Sequence, residues 1–123
     1  MVNIPISIGE LFDRISILEI KLEKIQNKEK LKNIKKELLL LNNLSSIIDV
    51  SNIKHLIIEL KETNLILWDI EDRIRIKEQS LQFDEQFIQL ARNVYITNDK
   101  RSEIKRKINL ITNSELIEEK SYE

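Results

Sequence analysis

The chain has 123 residues, a third of them charged and 41% hydrophobic, with 20 Lys and Arg against 21 Asp and Glu and a formal net charge of −1. That is the size and balance of one folded domain, and it excludes a disordered chain and a strongly basic nucleic-acid footprint, though it leaves room for a local basic patch. With no Cys and one His, His55, a disulfide framework, a thiolate nucleophile and a histidine-rich metal centre are excluded; carboxylate-only magnesium or calcium binding stays open, but no EF-hand loop is present.

The only glycine and the only proline, Gly9 and Pro5, lie in the first ten residues. Turns beyond them must come from Asn, Asp and Ser, a composition that favours helices over a β fold with many tight turns. Val2 to Ile8 alternate apolar and polar residues around Pro5, which predicts a short extended arm. Ser7 and Glu10 then have the spacing of a capping box. Leu11, Ile15, Leu18, Leu22 and Ile25 recur at steps of four and three and predict a first helix from Ile8 to about Ile25. The next stripe, Leu31, Ile34, Leu38 and Leu41, is out of phase, so a turn capped by Asn27 separates two helices. Opposed residues in an antiparallel hairpin have a nearly constant index sum. Leu22 with Leu31, Leu18 with Ile34, Ile15 with Leu38 and Leu11 with Leu41 satisfy it.

Asn42 to Asn52 reads as a loop with Asp49 or Ser51 as the next N-cap. A long helix follows to about Gln79, with Ile53, Leu56, Leu60, Thr63, Leu67, Ile70 and Ile74 in register. Ser80 to Phe83 forms a turn, Asp84 caps a fourth helix, and Phe83 with Ile88 has the spacing of a hydrophobic staple. Phe87, Leu90, Val94, Ile104, Ile108 and Ile111 form its stripe and pair with the third helix by the same arithmetic. Thr97-Asn98-Asp99 is a candidate break, because such side chains compete for backbone hydrogen bonds; a distortion is expected there. The expected fold is all-α: two antiparallel helical hairpins, four helices or five if the last one breaks. Residues 1–7 form an extended arm, 8–44 the first hairpin, 51–111 the long second hairpin and 114–123 an acidic tail, all in one domain.

The longest aliphatic run, Leu38 to Leu41, is far too short to span a membrane. The N-terminus has no basic segment leading into an apolar stretch, so no signal peptide is read and a cytoplasmic location is expected. His55 reads as a helix-face residue, and the lysine-rich stretch from Lys28 to Lys36, interleaved with Glu29, as a solvated face.

The most suggestive polar group lies midway along the second hairpin. Trp68 and Tyr95 are nearly level, and Glu71 is level with Arg92. Asn98, Arg101, Lys105 and Asn109 share one helix face. Arg101 interrupts an apolar stripe opposite Leu60, where a charge is costly unless paired. One reading is an anion or sugar-phosphate site, with Arg101 and Lys105 as donors, Trp68 or Tyr95 as a stacking wall, and Glu71 or Asp99 orienting the ligand. The other is a satisfied polar layer with surface ion pairs. Asn64, near Asp99 by the same arithmetic, is read as part of a register-setting layer, and Glu10, Asp13 and Arg14 as capping and solvating the first turn. No glycine-rich phosphate loop and no Ser–His–acid set is present.

Several segments are familiar as wording: "PISIGELFDRISILEIKLEKI" from Pro5, "LWDIEDRIRIKE" from Leu67, "FDEQFIQLARNVYITNDKRSEIKRKIN" from Phe83 and "EEKSY" from Glu118. They resemble an uncharacterised family of short bacterial and phage proteins, a domain of unknown function. The likeness covers nearly the whole chain; from Asn27 to Glu59 it rests more on helical character. It implies a shared helical fold and no reaction. It also marks Glu10, Asp13, Trp68, Glu71, Asp72, Tyr95, Asn98, Asp99, Arg101, Lys105 and Asn109 as belonging to the family's pattern. A weaker likeness links "DRISILEIKL" to the small all-α chorismate mutases. Phe12 stands where their first-helix arginine is expected, and the next cationic position falls near Glu29, so that chemistry has no electrostatic source here.

These readings predict a helical interaction or adaptor module that self-associates as a homodimer, with no cofactor, no nucleic-acid partner and no membrane association. The alternative is a small-molecule-binding protein or enzyme built on the cluster around Arg101.

Overall fold

The computed structural model describes residues 1–121; Tyr122 and Glu123, which close the tail and the last family segment, lie outside the described residues. Four helices follow the apolar stripes: α1 Ile8–Lys24, α2 Lys28–Ser45, α3 Lys54–Gln79 and α4 Glu85–Ile111. Among the described residues no strand forms, and residues 1–7 are an irregular arm. No helix among them is long and apolar enough to cross a membrane.

The caps explain where the helices start. Ser7 Oγ accepts from the Glu10 amide at 3.0 Å, Asn27 Oδ1 from the Lys30 amide at 3.0 Å, and Asp84 Oδ1 from the Phe87 amide at 3.0 Å. The Asp84 carboxylate also accepts from Lys77 across the turn at 2.9 Å, and these bonds hold its pKa below the usual aspartate range. Only half of the expected capping box forms, because the Glu10 carboxylate turns away to Arg14 and Lys105. The start of α3 departs from expectation. Neither Asp49 nor Ser51 caps it; the N-cap is Ile53, which has no side-chain cap bond. Ile53 is 0% exposed, so its burial in the core fixes where the helix begins. Asp49 Oδ1 instead accepts from the Ser51 amide at 3.0 Å, closing a local turn. Phe83 packs edge-to-face on Phe87, ring centroids 5.2 Å apart, while Ile88 stays half exposed. With no glycine to end α3, the left-handed position falls to Leu81, at φ 53°.

The candidate break at Thr97-Asn98-Asp99 does not occur: α4 runs unbroken through 27 residues. The side chains that would compete with the backbone are engaged elsewhere. Asn98 Oδ1 accepts from Arg101 at 3.3 Å and Asp99 from Lys120 at 2.6 Å.

α1 is the centre of the assembly. It packs on α2, α3 and α4, whereas the α2 backbone approaches that of α1 alone; α3 and α4 pair with each other. Leu11, Phe12 and Ile15 of α1 join Ile53, Leu56 and Leu60 of α3 and Ile104 and Ile108 of α4 in the core. Leu38 and Leu41 of α2 cover this cluster on one side, with Ile48 and Val50 of the connecting loop and Ile6 and Ile8 at the start of the chain. The first hairpin has arms of 17 and 18 residues and the second of 26 and 27. At ~1.5 Å per residue the long arms outreach the short ones by about 14 Å.

Candidate functional site

The polar residues singled out in the sequence converge on α1, and the residue at their centre is Asp13. It lies on the α1 face that meets α3 and α4 and is 0% exposed. Its Oδ1 accepts from Asn64 Nδ2 and from Arg101 Nε, both at 2.9 Å, and its Oδ2 accepts from Arg101 Nη2 at 2.5 Å. Ser16, one turn on, donates to the Asp13 carbonyl at 2.8 Å and accepts from Asn64 Nδ2 at 2.7 Å. Arg101 is therefore held side-on by a carboxylate, the strongest arrangement a guanidinium makes. The bond that it donates to Asp13 raises its pKa against the opposing effect of burial.

A second layer follows one turn toward the N-terminus of α1. Lys105 donates to Glu10 at 2.5 Å and lies 4.0 Å from Asp13. Asn109, 1% exposed, accepts from the Gly9 amide at 2.6 Å and donates to Glu118 at 3.0 Å. Ser7 Oγ donates to the same Glu118 carboxylate. The Ile8 amide donates to Ser114 Oγ at 3.1 Å. The first free amides of α1 are thus satisfied by α4 and the segment after it. Gly9 is required here by proximity: a Cβ would lie 2.6 Å from the Lys105 carbonyl oxygen and 2.9 Å from Asn109 Oδ1.

Among the described residues, no buried side-chain nitrogen or oxygen lacks a partner. Beside this closed network lies a cleft of about 230 Å³ between α1 and the long hairpin. Trp68, Glu71, Asn98 and Arg101 line it, as do Asn64 and Leu67 of α3 and Ile17, Ile20 and Lys21 of α1. Of the seven residues read from the sequence as a cluster, these four share the cleft. Tyr95 is 56% exposed outside it, Asp99 pairs with Lys120, and Lys105 pairs with Glu10. The two cations expected to converge on an anion each lie on a carboxylate of α1 instead.

Sequence reasoning assigned Asp13 to capping and solvating the first turn, did not single out Ser16, and placed Asn64 beside Asp99 where the structure turns its amide toward α1. A signal was present. Phe12, Ser16 and Ile20 recur at steps of four beside the stripe that faces α2, and all three are buried. Gly9, Asp13, Ser16 and Ile20 also follow one another at steps of four and three. A helix with two buried faces is flanked on both sides, and a carboxylate on its second face needs a cation from another element.

No curated protein and no solved structure matches the chain. A family model covers residues 2–123, almost the full length and every residue of the network just described. The chain belongs to that family, the family of unknown function DUF6165.

Proposed function

We propose that this protein is a helical interaction module that self-associates through the free end of its long hairpin. The observation that carries this reading is the outreach of α3 and α4. Lys21, in the last turn of α1, faces the cleft with Glu71 and Asn98, so the arms beyond that level project past the first hairpin. On and beside that projection Ile76, Leu81, Phe83, Ile88 and Tyr95 are each more than half exposed. Ala91, between Ile88 and Tyr95 on the same helix face, is exposed as well. The loop and the N-terminal arm do not reach it, since Ile48, Val50, Ile6 and Ile8 pack on the core at the other end. An exposed apolar surface of this kind is ordinarily covered by a partner, and two-fold pairing of identical chains is the commonest solution.

Closure of the Asp13–Arg101 network supports the same reading over an anion site, because both cations are already neutralised. Light scattering after size exclusion at micromolar concentration tests it. A mass of twice 14.6 kDa, falling toward the monomer when Phe83 and Ile88 are changed to Ser, is the expected outcome. A strict monomer for the unmodified chain refutes self-association.

A further inference from the structure

Independently of self-association, we propose that the cleft between α1 and the long hairpin binds a small zwitterion, a free α-amino acid with an apolar side chain. The argument starts from the polar groups the fold leaves without a partner there. Asn64 is only 5% exposed, and its Nδ2 donates to Asp13 and Ser16, so its carbonyl oxygen points away from both. That oxygen accepts nothing among the described residues, and since no fully buried polar atom among them is orphaned, it is open to the cleft that Asn64 lines. Arg101 uses Nε, Nη1 and Nη2 toward Asp13 and Asn98 but keeps a second N–H on each terminal nitrogen. Trp68 also lines the cleft, with an indole N–H that makes no hydrogen bond among the described residues, and Lys21 and Glu71 form no ion pair among them, the Glu71 charge acting on Arg101 only through space.

Charge then selects the ligand class. Asp13 and Arg101 offset one another, which leaves Lys21 and Glu71 as the charges lining the cleft that have no salt-bridge partner among the described residues. One positive and one negative charge disfavour phosphate and favour a molecule carrying both signs. Its ammonium donates to Glu71 and the Asn64 carbonyl, and its carboxylate accepts from Lys21 and the spare N–H groups of Arg101 and Trp68. Ile17, Ile20 and Leu67 supply an apolar wall for the side chain. The volume of about 230 Å³ is below the ~300 Å³ at which drug-sized ligands begin, which fits an amino acid better than a nucleotide.

Trp68 is the single tryptophan of the chain and lines the cleft, so its emission reports occupancy directly. The experiment titrates the full chain with L-leucine, L-methionine and L-phenylalanine, then with N-acetyl-leucine, leucinamide and inorganic phosphate, and repeats each by calorimetry. Saturable binding of at least one free amino acid is expected, weakened about tenfold or more when either its ammonium or its carboxylate is masked. Glu71→Gln and Lys21→Met, both at the solvent edge, should each weaken it by a similar factor with helicity by circular dichroism unchanged. No saturable heat or emission change with any of the three amino acids overturns the proposal. So does binding of phosphate or N-acetyl-leucine as tight as that of leucine, or unaltered affinity in both variants.

Discussion

Replacing Asp13 by Ala removes the acceptor of three hydrogen bonds, one from Asn64 and two from Arg101. Bonds to a charged group contribute about 1.5–3 kcal/mol each, and breaking a buried ion pair costs about 3–5 kcal/mol. The Arg101 side chain is 27% exposed, so its guanidinium recovers part of its hydration once the carboxylate is gone. Asn64 has no such recourse for the hydrogen it gave to Asp13. A loss of about 3–4 kcal/mol follows, at the lower end of the range for a broken pair. For a domain of this length about 3–5 °C accompanies each kcal/mol, so the midpoint should fall by about 10–20 °C. Arg101→Met should cost at least as much, because it strands a carboxylate that is 0% exposed. The double variant Asp13→Ala with Arg101→Met should lose less than the sum of the two by about 2 kcal/mol or more. Thermal and urea unfolding followed by circular dichroism measures all three. If Asp13→Ala costs under about 1 kcal/mol, or if the two sites are simply additive, the network is not a stability unit and its description as the structural centre is refuted.

Gly9→Ala places a methyl group 2.6 Å from a backbone oxygen of α4 that cannot swing aside. Forcing the helices apart should cost about 1–3 kcal/mol in urea unfolding, although alanine is the better helix former. The Glu118 carboxyl is pushed up by burial, but the bonds from Ser7 and Asn109 and the charge of Lys105 outweigh this and leave its pKa below the usual glutamate range. A depressed folded pKa means its contribution is present above the unfolded value, near ~4.3, and is lost as pH falls below that value through the folded one. Glu118→Gln should therefore lower the melting temperature at pH 7 and converge with the unmodified chain in strong acid. A constant offset across pH would count against the clasp. Lys61, paired on the surface with Glu23 and Glu19 of α1, has a raised pKa from the Glu23 bond. Because all three side chains are partly in water, Lys61→Ala should change stability by under about 1 kcal/mol, and a larger loss would contradict the screening argument.

The helices were legible in the sequence because their stripes, caps and pairing arithmetic agree with one another. Asn27 and Asp84 cap where they were expected to, and Leu18 and Ile34, which the index sum sets opposite each other, are both buried. What was not legible depends on which faces meet. Asp49 and Ser51 have better cap chemistry than Ile53, and only the core decides against them. Asn98 and Asp99 suggest a break until Arg101 and Lys120 are seen to engage them. Asp13 looks like an ordinary first-turn acid until α1 is placed between two neighbours. Periodicity identifies a buried face, but it does not say which other helix supplies the counter-charge.

The one-sided attachment of α2 sets how the molecule opens. Ile34 is the single buried residue in its 18-residue length, and the contacts of its apolar stripe are with α1 and the edge of the core. Detaching it exposes far less apolar surface than separating α1 from the long hairpin, where Asp13, Gly9 and the core side chains interlock. The free energy of that local opening is correspondingly a fraction of the global value. Amide hydrogens of α2 should therefore exchange with solvent well before those of α1, α3 and α4, and their rates should be indifferent to Asp13→Ala. The fold then behaves as a rigid three-helix body with a fourth helix that samples release on its own timescale.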